Sequence, residues 1–260
     1  MKKFELTSEF VTFLGKTLFR IKALVSFGDV AEGELGGFIE RENNLDQSGD
    51  AWVYGDAQVF GDARVYGDAQ VYGDAQVFGD ARVYGDAQVY GDAWVFGDAR
   101  VYGDAQVYGD AWVYGDAQVF GDARVYGDAQ VFGDARVYGD ARVYGDAWVF
   151  GDARVYGDAR VYGDAQVYGD AWVFGDARVY GDARVQNCRD YSATSCFGSE
   201  NRTTTFFRTK DGGISVRCGC FYGTLREFRE KVKERHGDSR LAKEYLMLAD
   251  LMEFRLSKDE

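Results

Sequence analysis

Gly49-Asp50-Ala51-Trp52-Val53-Tyr54 is the first full copy of a hexad that decides the fold of this 260-residue chain. The triplet Gly-Asp-Ala returns every six residues, with nothing inserted or skipped, until Gly181, twenty-three times in all. If Ala51 to Tyr54 are extended, their side chains alternate, because a strand has period two. Ala and Val then share one face, and the variable residue and the aromatic share the other. Gly-Asp supplies the corner, since Gly reaches positive φ freely and Asp tolerates it. A six-residue period with Gly in every turn fits no helix. It is the signature of a β-helix whose coils pair with one another.

Volume decides which face is internal. Three short sides leave room at the axis for Ala and Val, not for three aromatics per coil. The Ala/Val set is therefore the expected core. The 22 aromatics from Tyr54 to Tyr180, with the variable Trp, Gln and Arg, are expected outside and exposed. Three hexads per coil would stack residues eighteen apart. Tyr54, Tyr72, Tyr90, Tyr108, Tyr126, Tyr144, Tyr162 and Tyr180 then form a pure Tyr column. A second column reads Phe60, Phe78, Phe96, Tyr114, Phe132, Phe150, Tyr168, beside Gln58, Gln76, Trp94, Trp112, Gln130, Trp148, Gln166. The third carries Arg64, Arg82, Arg100, Arg136 and Arg154, interrupted by Gln118. Duplication of a longer unit would leave the same echoes, so an eighteen-residue coil is the reading either way.

Val-x-Gly-Asp-Ala-x resembles the hexapeptide repeat of left-handed β-helix proteins, with an aliphatic and a small residue at fixed positions. The resemblance covers the whole rod and implies a left-handed coil, whereas parallel crossovers otherwise run right-handed. The fold expected is an all-β solenoid: a three-sided left-handed parallel β-helix over 49–185. An N-terminal β cap occupies 1–48 and a small C-terminal α+β cap occupies 186–260. At ~4.8 Å per coil the rod is roughly 37 Å long.

Both ends need covering, because open strand edges invite end-to-end growth. Lys3 to Leu6, Glu9 to Leu14 and Thr17 to Val25 read as strands, and Ile39 and Leu45 fall in the Ala register of later hexads. In the C-terminal flank, Thr203 to Arg208 and Ile214 to Phe221 read as a hairpin turning at Lys210-Asp211-Gly212-Gly213. Thr224 with Glu227 forms a capping box for a helix bearing Leu225, Phe228 and Val232. A second helix after Ser239 presents Leu241, Tyr245, Leu248 and Met252. Taken whole, the chain resembles phage, prophage and gut-bacterial Gly-Asp-Ala repeat proteins. That resemblance rests on Gly36-Gly37-Phe38-Ile39-Glu40, the rod, and Cys218-Gly219-Cys220-Phe221-Tyr222-Gly223. It implies a mobile-element origin and carries over no catalytic residue.

Net charge is −13, and the rod's Asp and Arg residues account for all of it. Such a chain is a poor direct ligand for nucleic acid, whose phosphates need a basic surface. Glu5 and Glu9 interrupt the N-terminal apolar residues, and no apolar run reaches bilayer length, so a soluble cytoplasmic protein is expected. Left-handed β-helix acyltransferases and carbonic anhydrases use histidine as base or zinc ligand. Here His236 is the single histidine, near a helix end where it suits the dipole. An enzyme is thus disfavoured and no cofactor is expected. Cys188, Cys196, Cys218 and Cys220 lack paired Cys-x₂-Cys spacing and are read as buried thiols, with zinc as the alternative. Each Asp is read as a turn residue whose carboxylate bonds a nearby N–H; nucleic-acid mimicry by the anionic rod is the functional alternative.

The second column is the one face without charge over seven coils, and it holds three of the five Trp. Trp94, Trp112 and Trp148 with Phe78, Phe96, Tyr114, Phe132 and Phe150 are therefore the candidate binding residues, for a second copy in a dimer or for a protein partner. The Arg column is the secondary candidate. Function is read as non-enzymatic binding or scaffolding, with inhibition of a host defence protein as one form and a self-assembling rod as another.

Overall fold

The computed structural model describes residues 2–257. The rod is a parallel β-solenoid with three sheets, and every rod strand pairs with the one eighteen residues away. Trp94 lies opposite Trp112 and Val95 opposite Val113, and Gln88 opposite Gln106. Strands are two to four residues long because each hexad must also turn a corner. At each corner the glycine has φ between 59° and 74°. Space demands glycine as well: a Cβ on Gly109 would lie 3.0 Å from the backbone nitrogen of Gly127.

Backbone hydrogen bonds bind the coils axially. Trp94 N–H donates to Ala111 C=O at 2.9 Å, and Phe96 N–H to Val113 C=O at 3.0 Å. Inside, Ala51 through Val185 form one unbroken column of Ala and Val with no solvent exposure. Two methyl-bearing residues per side fill the triangle at crystal-like density, so no larger residue is needed.

The N-terminal cap is part of the rod's own sheet. β1 (Phe4–Phe13) pairs antiparallel with β2 (Lys16–Ala23), and β2 with β3 (Leu35–Ile39). β3 then runs parallel to Gln58–Val59. The two short N-terminal strands expected from sequence are one strand with a register shift between Leu6 and Phe10. Ile39 and Leu45 sit opposite Val59 and Val65, not in the Ala register. The first coil is two residues longer than the rest. The extra length falls at Asp46-Gln47-Ser48, where the Asp46 carboxylate accepts both the N–H and the hydroxyl of Ser48.

The C-terminal flank closes the other end. Its sheet has four antiparallel strands, Tyr191–Phe197, Arg202–Arg208, Ile214–Cys218 and Phe221–Thr224, where two were expected. Cys218 pairs with Phe221 and Gly219 has φ 59°, so Gly219-Cys220 is a turn between two strands, and the strand does not run on through Cys220. Phe207 and Tyr191 plug the open end of the Ala/Val core. Lys210 N–H donates to Asp182 C=O at 3.0 Å, and Tyr222 packs on Tyr180 with ring centres 4.0 Å apart.

α1 (Leu225–His236) and α2 (Arg240–Leu256) cover the outer face of this sheet. The capping box forms as read: Glu227 N–H donates to the Thr224 hydroxyl, and Thr224 N–H to the Glu227 carboxylate at 2.7 Å. Tyr245, Leu248 and Met252 are buried in a second core with Leu225, Phe228 and Val232. Leu241 is only half-buried, and Ala242 takes its place inside.

Candidate functional site

The Phe/Trp face forms as one sheet, its strands running through Gln58, Gln76, Trp94, Trp112, Gln130, Trp148, Gln166 and Arg184. Trp94, Trp112 and Trp148 with Phe78, Phe96, Tyr114, Phe132 and Phe150 all lie on it, whereas the secondary Arg column lies on another sheet. In-register pairing forces the aromatics into a ladder. Phe78 and Phe96 stack at 4.9 Å and 1°, and Phe132 and Phe150 at 4.9 Å and 0°. The spacing is that of the strands themselves. Trp94 stacks on Trp112 at 5.2 Å. Each Trp also meets the Phe of the preceding coil edge-on: Trp94 on Phe78, Trp112 on Phe96 and Trp148 on Phe132, at 6.0–6.3 Å.

Stacking corrects the expectation of fully exposed aromatics. Ring faces cover one another along the axis, so most of these side chains are half-buried, and the ladder shows ring edges outward. Trp112 and Trp148 remain 38% exposed. The first rungs are covered by the chain itself. Phe60 lies under Phe13 and Leu18. Trp52, outward in register, is fully buried by Phe4 and Phe27. These outward columns therefore accept an apolar cover wherever one is supplied.

Charge lies on the other two sides. Arg64, Arg82 and Arg100 stack directly, as do Arg136 and Arg154. A second ladder, Arg124, Arg142, Arg160 and Arg178, occupies the far half of the Tyr face. It was legible in the variable position of the Tyr column but was not read there. Arg154 lies 4.8 Å over the ring of Trp172, which with Phe174 is the most exposed aromatic pair on the rod.

The Asp carboxylates are not tied to their turns as expected. Corners are joined by backbone instead: Asp74 N–H donates to Gly91 C=O at 3.0 Å. Among the described residues, Asp68 is the one rod aspartate whose carboxylate accepts a backbone N–H, from Asp50. Asp56 and Asp62 pair with cap residues Arg20 and Arg41. Among the described residues, the carboxylates from Asp74 to Asp170 are exposed, with neither a hydrogen bond nor an ion pair. Rows of like charge at ~4.8 Å intervals repel and are screened by salt. Raising NaCl from about 10 mM to about 150 mM is thus expected to raise the melting temperature by a few degrees. A flat or falling value in a thermal scan would show that the rows cost nothing.

Three cysteines, Cys188, Cys196 and Cys220, are exposed rather than buried, and Cys218 is half-buried, accepting from the Thr204 hydroxyl at 3.2 Å. Their segment is a sheet edge and a turn, which explains the exposure. Among the described residues no three His, Cys, Asp or Glu side chains converge on one point. His236 stacks on Tyr245 at 5.7 Å, at the end of α1 and away from the rod. Among the described residues no helix is long and apolar enough to cross a membrane.

A family model described as the YdcK Beta solenoid repeat matches eleven stretches of the chain, from 57–73 and 75–91 through 153–169 and 177–188. The matches confine themselves to the rod and its last corner. No curated protein matches the chain.

Proposed function

With a rod of YdcK-like beta solenoid repeats as its scaffold, we propose that the chain is a non-enzymatic binding or scaffold protein working through the Phe/Trp face. The observation that carries this reading is the uncharged strip of aromatic rungs, covered by the chain's own cap at Phe60 and flanked by it at Phe78, and beyond these, among the described residues, left uncovered. Soluble monomers rarely leave apolar patches beyond a few hundred Å² open. A flat, periodic surface is self-complementary, so a second copy related by a two-fold axis is the favoured cover, with a protein partner as the other. A left-handed coil, a phage or mobile-element source, a cytoplasmic setting and inhibition of a host defence protein belong to the same reading. They rest on the resemblances of the repeat and the flanks.

Replacing Trp94, Trp112 and Trp148 together by Gln tests it. Light scattering is expected to show the mass in solution fall to that of a single chain, with the fold retained. Unchanged mass together with unchanged capture of partner would leave the rod as a spacer between two caps.

A second reading has its own support. Exposed carboxylates free of partners, in rows along the rod, present regular negative charge to a basic protein, as a nucleic-acid mimic would. An acyltransferase has no comparable support, since the rod contains no histidine.

A further inference from the structure

The C-terminal module carries a half-open cavity of about 210 Å³ that no rod residue lines. Its floor is aromatic. Phe197 and Phe228 meet Tyr245 edge-on at 5.9 and 5.8 Å, and Phe221 packs on Phe228 at 5.6 Å. The floor is also preformed. Ser199 N–H donates to the Tyr245 hydroxyl at 3.0 Å, and a Cβ on Gly198 would collide with that hydroxyl. Glycine at 198 therefore lets the ring seat against the backbone.

The rim is basic. Arg202 from the sheet converges on it with Lys231, Arg235 and His236 from α1, against one acid, Glu200. Arg202 reaches Glu200 only at 3.7 Å, with both side chains exposed, and Lys231 leans on Glu234. Among the described residues Arg235 and His236 have no carboxylate in pairing range. Bases in the last turn of a helix favour its dipole whatever else they do. That accounts for Arg235 and His236, but not for Arg202 on a different element, nor for the aromatic floor beneath them. The module as a whole is slightly basic: residues 186–260 hold 14 Lys and Arg against 12 Asp and Glu, in a chain of net charge −13.

From the aromatic floor and the converging cations we propose that this cavity binds a small organic anion with a flat aromatic body. Its ring would lie against Phe197 and Phe221, the half-buried rings of the lining, and its carboxylate, sulfonate or phosphate would meet Arg235, Lys231 and Arg202. A concave, mostly apolar site with a few convergent polar groups is the usual form of a small-ligand pocket. The site stands apart from the Phe/Trp face, so the two can fail separately.

Naphthalene-2-sulfonate and naphthalen-2-ylmethylammonium share a ring and differ in the sign of charge, and both are titrated calorimetrically into the full chain. The sulfonate is expected to bind at least ~10-fold more tightly, which a tenth of the affinity per 1.4 kcal/mol makes easily read. Lys231→Glu with Arg235→Glu, both on the surface, is expected to weaken the sulfonate at least ~10-fold, with a melting temperature lowered by only a few degrees through the lost dipole and Glu234 contacts. Equal affinity for the two probes would overturn the proposal. So would a sulfonate affinity untouched by the double charge reversal, which would place the probe on the rod's aromatic ladders. Because the ammonium probe also reports whether the apolar floor persists, loss of both ligands in the variant points to collapse of the pocket. In that event Arg235→Gln, which keeps the stem of the side chain, must still weaken the sulfonate selectively for the proposal to stand.

Discussion

Val113→Asp is expected to destroy cooperative melting of the central rod, while Gln118→Glu, five residues on, changes stability by no more than ~0.5 kcal/mol. Val113 is fully buried between Val95 and Val131 in its column, with alanines of adjacent sides around it. A carboxylate there meets methyl groups only. All nearby backbone donors are already committed to the axial ladder, as Phe96 N–H is to Val113 C=O itself. An unpaired buried charge costs far more than the few kcal/mol that hold a domain of this size folded. A solenoid has only nearest-neighbour contacts, so damage in a central coil cannot be bypassed by long-range packing. Gln118 tests the opposite side of the same wall. It projects outward between Arg100 and Arg136, so a carboxylate there gains two cationic neighbours. Circular dichroism melts of the two variants decide the matter. Equal destabilisation would mean that Ala and Val are not the interior.

The rod was legible because one physical rule is repeated twenty-three times. Small residues alternate with outward ones, and each corner needs a backbone that glycine alone adopts without strain. The eighteen-residue register followed from which residues could share a column, and Trp94 opposite Trp112 bears it out. Departures from the rule were harder to read. Ile39 and Leu45 look like early hexads by counting, but a loop at Asp46-Gln47-Ser48 shifts them by two, and nothing in hydrophobic pattern marks a loop of that length. Trp52 is outward by periodicity yet fully buried, because its cover comes from Phe4 and Phe27, far away along the chain. Asp in Gly-Asp turns suggested side-chain capping; at Asp68, Asp74 and Asp80 stacked corners make it redundant, since the next coil's carbonyl satisfies the Asp N–H. The strand Tyr191–Phe197 was missed although Tyr-Ser-Ala-Thr-Ser-Cys-Phe alternates, because the exposed half of an outer strand carries little apolar signal. The anion cavity was invisible for another reason. Its floor and rim come from six elements between Phe197 and Tyr245 that only the folded module brings together.

The Tyr column makes the rod sensitive to alkali. Burial against neighbouring rungs raises the hydroxyl pKa of Tyr72, Tyr90, Tyr108 and Tyr144 above the usual 10.0, and in Tyr90, Tyr108 and Tyr144 an adjacent tyrosine raises it further. Tyr66 and Tyr102 on the third face and Tyr114 on the Phe/Trp face shift the same way, chiefly through burial. The unfolded chain ionises near pH 10. Above that pH the folded state therefore binds more protons than the unfolded, and stability falls as pH rises. Below pH 10 both states are protonated and this contribution is constant. Lys3 opposes the trend. Its ammonium, buried against Phe27 and donating to the carbonyls of Gly49 and Ala51, is lowered to about 8, so it adds stability between there and its ordinary 10.5. One lysine acts against many stacked tyrosines, and the tyrosines prevail above pH 10. The melting temperature is expected to be nearly level up to about pH 9 and to drop by more than ~10 °C by about pH 11. Replacing Tyr90, Tyr108 and Tyr144 by Phe, a side chain the neighbouring column already accommodates at the same height, should flatten the drop without lowering the neutral-pH value. Absorbance at ~295 nm, followed on the same samples, should show tyrosinate appearing above pH 10 and together with unfolding. A drop of equal size in the Phe variant, or tyrosines that ionise near 10 while the rod stays folded, would remove the ladder as its cause.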